Sequence, residues 1–298
     1  MTNTIKGLGL ILLSGLLFNA CTDDATDDMN TTAKTSTLNL SFTGLEDLGS
    51  DATYEGWLIV NGSAISTGTF DVNASGMLSQ TAFEIAKEDL ADASSFVLTI
   101  EPKPDNDPAP SKVHIVAGDF SGGSANLTID HSSAIKHSFS TVAGKYILAT
   151  PTDDDMSNEA SGVWFLDNSS GAPAVGLTLP TLPDGWIYEG WAVIDGVPVS
   201  TGTFSTVDAA DNSATFSGSK AGPPFPGEDF LINAPGMLTF PTDLKGGKAV
   251  ISVEPVPDNS PMPFALKPLV GDISDMAADH TAYDMNQNLS FPTGEATR

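Results

Sequence analysis

Four glutamates recur in matching positions along this chain. Glu55 and Glu189 each stand two residues before a tryptophan, Trp57 and Trp191, while Glu101 and Glu254 each precede a proline, Pro102 and Pro255. Paired carboxylates perform acid/base chemistry when their surroundings push the two pKa values apart. If the strands that carry them are neighbours, each copy holds such a pair. The competing reading is structural: a carboxylate beside a turn accepts backbone N–H bonds from the loop that follows it. Occurrence in both copies favours a role in the fold, because one active site needs one pair only.

Other chemistry is sparser. Asp105-Asn106-Asp107 offers oxygen ligands to Ca²⁺, but the run lacks the glycine and the closing glutamate of an EF-hand loop. Its second copy reads Asp258-Asn259-Ser260, one carboxylate short. Asx turns in a proline-rich loop account for both runs, so no cofactor is expected and calcium ranks behind that reading. His114, His131, His137 and His280 are scattered, without the spacing of a zinc pair. There is no G-x-S-x-G elbow and no glycine-rich phosphate loop. Among the aromatics, Trp186 leaves the loop LPDGW, and Phe225, Glu228 and Asp229 lie in the proline-rich run GPPFPGEDFLINAPG (222–236), which reads as a long surface loop. Those four residues are the candidate ligand contacts.

The elements that would position these groups come in two copies. YEGWLIVNGSAISTGTF (54–70) reappears without a gap as YEGWAVIDGVPVSTGTF (188–204), and TIEPKPDNDPAP (99–110) reappears as SVEPVPDNSPMP (252–263). A period this long is duplication of a whole domain, since solenoid repeats run to about 20–50 residues. EGWLIV reads as a buried strand, and Asn61-Gly62 and Asp195-Gly196 supply the positive-φ dipeptide of a type I′ turn, so each motif predicts a hairpin. Gly68 and Gly202 mark a bulge or a close backbone approach in the returning strand. Further strands are expected at 38–42, 95–101, 112–118, 125–129, 145–149, 162–167 and 249–254. Only AFEIAKEDLADA (82–93) has a helical pattern. Short strands punctuated by Gly, Pro, Asn and Asp predict an all-β chain of two tandem antiparallel β-sandwich (Ig-like) domains.

The first twenty residues read as a signal peptide: Lys6, an apolar run from Gly7 to Phe18 too short to span a bilayer, and Ala20 before Cys21. Cys21 is the single cysteine, and its place after the apolar run resembles a bacterial lipoprotein processing site. Residues 21–36, rich in Asp and Thr, read as a lipidated cysteine and an acidic flexible tether. The four aspartates at 23, 24, 27 and 28 resemble the surface-export signal of Bacteroidota lipoproteins. With Lys+Arg 12 against Asp+Glu 38, the 298-residue chain carries a net charge of −26. That charge repels phosphate backbones and removes the counterion-release drive for nucleic-acid binding. The remaining chain divides into domains at 37–140 and 141–298, the second with a loop insertion.

The order of an aromatic-Glu-Gly-Trp strand, a glycine-containing turn, an S-T-G-T-F strand, a strand ending in Glu-Pro (Glu101-Pro102, Glu254-Pro255) and a strand ending in Gly-Asp resembles the extracytoplasmic C-terminal domain of anti-sigma-K factors. The resemblance covers the cores of both copies and implies β-sandwiches. The cytoplasmic half that would hold a sigma factor has no counterpart in this chain. The expected function is therefore a non-catalytic, non-enzymatic lipoprotein, anchored in the membrane through Cys21 at the bacterial outer membrane or cell surface, whose duplicated domains act as a binding or structural module with an envelope protein or a glycan as partner. The alternatives are a sensory or regulatory accessory of a sigma/anti-sigma system and a glycan-acting hydrolase that uses a Glu pair.

Overall fold

The computed structural model describes residues 34–258 and 260–298. The expected signal peptide, Cys21 and nearly all of the tether lie outside the described residues. Lys34–Arg298 forms one compact unit.

Nearly every element is a strand. The first repeat carries β1 (Thr35–Thr43), β2 (Ala52–Val60), β3 (Ser63–Phe70), β4 (Ala82–Ala86), a six-residue helix α1 (Lys87–Asp92), β5 (Ala93–Pro102), β6 (His114–Asp119) and β7 (Ser124–Leu127). The second carries β8 (Ala143–Leu148), β9 (Gly162–Trp164), the short β10 (Leu166–Asp167), β11 (Ala174–Val175) and β12 (Leu177–Thr178), then β13 (Trp186–Ile194), β14 (Val197–Phe204), β15 (Gly227–Asp229), β16 (Lys248–Pro255), β17 (Leu269–Asp272) and β18 (Tyr283–Gln287). A last strand, β19 (Thr293–Thr297), ends the chain.

Both expected hairpins form. Asn61 and Gly62 have φ of 50° and 81°, and Asp195 and Gly196 have 52° and 83°, the left-handed pair that a type I′ turn requires. The strands then pair with an identical irregularity: Gly56 faces Gly68 but Trp57 faces Ser66, and Gly190 faces Gly202 but Trp191 faces Ser200. One residue is thus extra in each returning strand, Thr67 in β3 and Thr201 in β14, which is a β-bulge. Each bulged threonine packs onto the glycine opposite. A Cβ added to Gly190 would stand 2.3 Å from Thr201 Oγ1 and 2.7 Å from the Phe165 ring. Gly190→Ala should therefore cost about 2–3 kcal/mol through overpacking, read as a lower urea midpoint. An unchanged midpoint would show that the contact yields freely.

The structure corrects the picture of two discrete Ig-like sandwiches. In the second repeat, eight strands run in the order β14-β13-β16-β17-β18-β8-β9-β15, with β12 paired onto β8, and the two edge strands β14 and β15 come into contact, so the sheet is a nearly closed barrel. In the first repeat, two four-stranded sheets run β3-β2-β5-β6 and β4-β1-β19-β7. Bridges from Ala117 to Thr128 and from Ser121 to Ser124 tie β6 to the β7 region.

Aligned from the shared hairpin, the two paths correspond strand by strand, and β19 occupies in the first repeat the place that β8 occupies in the second. Its neighbours confirm the match: β8 lies antiparallel between β18 and β9, as β19 lies antiparallel between β7 and β1. β19 therefore completes the sheet that β1 begins. Arg298 locks it, donating to the carbonyls of Leu90, Ala93 and Gly122 with its guanidinium 4.2 Å from the Phe120 ring centroid. A single hydrophobic cluster runs through both repeats, from Leu38 and Phe96 to Phe165 and Leu269. The segment 131–144, which spans the expected domain boundary at 140/141, contributes Ile135, Phe139 and Val142 to that cluster.

Two local expectations change. The helical pattern at 82–93 resolves into strand β4, α1 and the first residue of β5, because Phe83 and Ile85 alternate inward in β4 while only Leu90 is buried on the helix. The run 222–236 is not a surface loop throughout. Gly227–Asp229 pairs with β9, and Phe225 through Leu231 are buried. Prolines there restrict the chain enough to thread it inward at low entropic cost.

Candidate functional site

Strand pairing brings the four glutamates into two sets. In the first repeat Glu55 lies opposite Thr99, and Glu101 follows two residues along on the same face. In the second, Glu189 lies opposite Ser252, with Glu254 two residues along. Each set is held alike. Trp57 Nε1 donates to Thr99 Oγ1 at 2.8 Å and Trp191 Nε1 to Ser252 Oγ at 2.8 Å. Ser66 donates to Glu55 and Ser200 to Glu189. The loop beyond each strand returns a backbone donor: Ser111 N–H to Glu101 Oε1 at 2.9 Å, and Phe264 N–H to Glu254 Oε1 at 2.9 Å and Oε2 at 3.2 Å.

The sets then diverge at the next acidic residue. Asp105 is exposed, and its Oδ1 accepts the Asp107 N–H at 2.9 Å in an Asx turn. Asp258, its counterpart, uses Oδ1 in the same way for Ser260 N–H at 2.9 Å, but its carboxylate turns onto the glutamates. One oxygen from each of Glu189, Glu254 and Asp258 lies within 4.8 Å of the others. Glu189 is 5% exposed and Glu254 is fully buried. Glu189 Oε2 has no hydrogen-bond partner. Among the described residues no ion pair involves any of the three. Lys267, whose pKa burial lowers, feels the Glu254 charge but donates to Phe264 O at 2.6 Å.

Buried carboxylates without a basic partner hold their protons. Burial pushes Glu189 up to about 7, with the neighbouring Asp258 adding to the shift and the Ser200 hydroxyl opposing it. Burial pushes Glu254 up to about 8, against hydrogen bonds from Ser252 and Phe264 and with Asp258 and Glu189 adding repulsion. Three carboxylates at this separation are hard oxygen donors able to coordinate a divalent cation such as Ca²⁺.

The cluster lies on the wall of a groove of about 1090 Å³, lined by Glu254 and Asp258 together with Glu46, Asp51, Glu101, Trp186 and Phe264. Burial pushes Glu46 up to about 7, opposed by Lys267 and the Ala265 N–H. Trp186 lines the groove with its ring packed 5.8 Å from Phe264 and only 6% exposed, Nε1 donating to His114 O at 3.2 Å. Phe225 packs with Trp164 and Ile147 in a small separate cluster. Glu228 and Asp229 are fully buried in β15, away from that groove.

Asp258 sits in a run one carboxylate short of Asp105-Asn106-Asp107, and Glu46 lies outside the repeated motifs, so neither stands out in the sequence. The usable signal was the spacing from Glu254 to Asp258, which Glu101 and Asp105 repeat. The buried acidic cluster also corrects the functional expectation. A purely non-catalytic, non-enzymatic module of anti-sigma-like sandwiches has no reason to bury an unpartnered carboxylate oxygen among two further carboxylates at a groove wall. No protein-family model, no curated protein and no solved structure matches this chain.

Proposed function

We propose that the chain binds a divalent cation, best fitted by Ca²⁺, through Glu189, Glu254 and Asp258, and that the cation organises the wall of the acidic groove where a ligand is engaged. The observation that carries this reading is the unpartnered, buried Glu189 Oε2 beside two other carboxylates. Without a cation these carboxyls keep protons, Glu189 to about 7 and Glu254 to about 8, because ionising them side by side in a buried site is costly. A cation removes that cost, and Asp258 on the loop after β16 lets it couple occupancy to the groove. Calcium titration by calorimetry should show Glu189→Gln losing one calcium per chain, and Asp258→Asn weakening the same site about tenfold or more. Unchanged stoichiometry in both variants would end the reading.

A second reading, a glycan-acting hydrolase, is favoured by one feature: Glu254 lines the groove and holds its proton at neutral pH beside the more exposed Asp258. Such a pair can divide acid and base roles. Hydrolysis of a glycan panel that persists in chelator and is lost in Glu254→Gln would support it. Activity that needs calcium would return the site to the first reading.

A further inference from the structure

The barrel of the second repeat does not close by hydrogen bonds. Its edge strands β14 and β15 meet at a seam, and the chain between them folds back to stitch it: Asn212 N–H donates to Thr203 O at 3.0 Å, Asn212 Oδ1 accepts Thr203 N–H at 2.8 Å, and Asp211 Oδ2 accepts Gly227 N–H at 2.8 Å. Asp211 is thereby held between both edges. The next residue of β15, Glu228, is fully buried, its Oε1 accepting from Ser217 while Oε2 has no partner. The bulged Thr201 of β14 is fully buried as well, and its hydroxyl has no well-formed partner although it faces the Asp211 carboxyl. Asp229 alternates to the opposite face, where Thr152 and Trp164 satisfy it. No ion pair reaches Asp211 or Glu228 among the described residues.

We infer that this seam is a second cation site, in which Asp211, Glu228 and the Thr201 hydroxyl hold an oxygen-seeking divalent cation such as Ca²⁺. Burial pushes Asp211 up to about 7, and two buried carboxyls with no basic partner keep protons unless a cation takes their place. A cation uses all three oxygens as acceptors, and a charge of +2 balances two carboxylates that have no basic partner. Two carboxylates and a hydroxyl form a separate donor set from Glu189, Glu254 and Asp258, so the inference does not rest on the function proposed above.

The test is calcium stoichiometry of the full chain by equilibrium dialysis. The Glu189→Gln variant should retain one calcium per chain, and Asp211→Asn with Glu228→Gln added to it should bind none. Zero calcium in the Glu189→Gln variant, or one in the combined variant, overturns the inference. Should the combined variant not fold, diffraction from wild-type crystals soaked in Tb³⁺ decides. An anomalous peak about 2.3–2.6 Å from oxygens of Asp211, Glu228 and Thr201 supports the site. A water or no density there overturns it, even with a peak at Glu189, an outcome that leaves the proposed function standing.

Discussion

A chain ending at Pro292 loses most of its stability. β19 pairs with β1 from Asn39–Thr297 to Thr43–Thr293 and with β7 from Leu127–Gly294 to Ser124–Thr297, so removing it strips hydrogen bonds from both neighbours and exposes Leu40 and Leu127, which are buried around Ala296. Each ladder bond contributes about 1 kcal/mol net and each newly exposed aliphatic side chain about 1.5–3 kcal/mol. The loss is on the order of 5–10 kcal/mol, against a total stability of about 5–15 kcal/mol for a typical domain. Denaturant unfolding followed by tryptophan fluorescence should show the truncated chain unfolded or with a much lower midpoint. A midpoint equal to that of the full chain would mean that β19 is an ornament on a sheet already complete. Arg298→Ala should fall between the two, costing about 1–3 kcal/mol for its carbonyl bonds and its packing over Phe120.

The cation-free protein becomes less stable as pH rises from about 4.5 to about 8, the reverse of an ordinary acidic protein. At the ordinary glutamate value of 4.5 the unfolded chain releases its protons, while folded Glu189 and Glu254 keep theirs to about 7 and about 8. Across that window the folded state binds more protons, so the free energy of unfolding falls with pH. The contribution is fully present below about 4.5 and lost once pH passes about 8. For the fully buried Glu254 and nearly buried Glu189 together it is a few kcal/mol. Calcium acts against this loss, because it binds the ionised site. At a hundredfold excess over its dissociation constant a single site adds about 2.7 kcal/mol, or roughly 5–10 °C in melting temperature for a chain of this size. Melting curves at pH 5 and pH 8, with chelator and with calcium, check both halves of the expectation. A calcium shift as large at pH 5 as at pH 8 would contradict the linkage.

Much of this was legible in local sequence. The hairpins followed from Asn61-Gly62 and Asp195-Gly196, whose backbone demand is local, and the duplicated blocks marked Glu55, Glu101, Glu189 and Glu254, while strand pairing supplied the adjacency that the sequence left conditional. What was not legible is non-local. The pattern of Thr293–Thr297 is too short and polar to announce a strand, and nothing in it points to β1 some 250 residues earlier. That pairing ties the last strand to the first, while the approach of β14 to β15 curls the second repeat into a nearly closed barrel in place of a sandwich. Likewise Asp105 and Asp258 stand at equivalent positions and make the same Asx turn, yet only Asp258 turns onto its glutamates. The burial of Glu228 and Asp229 was hidden because a proline-rich run reads as surface wherever its hydrogen-bond partners, here β9, are distant in sequence.

The most direct measurement is anomalous diffraction from crystals of the full chain grown at pH 8 and soaked in Tb³⁺ as a calcium substitute. The account requires a peak among Glu189, Glu254 and Asp258, within bonding distance of Glu189 Oε2. Crystals showing instead an ordered water hydrogen-bonded to Glu189 Oε2, with no peak at the three carboxylates, would contradict it.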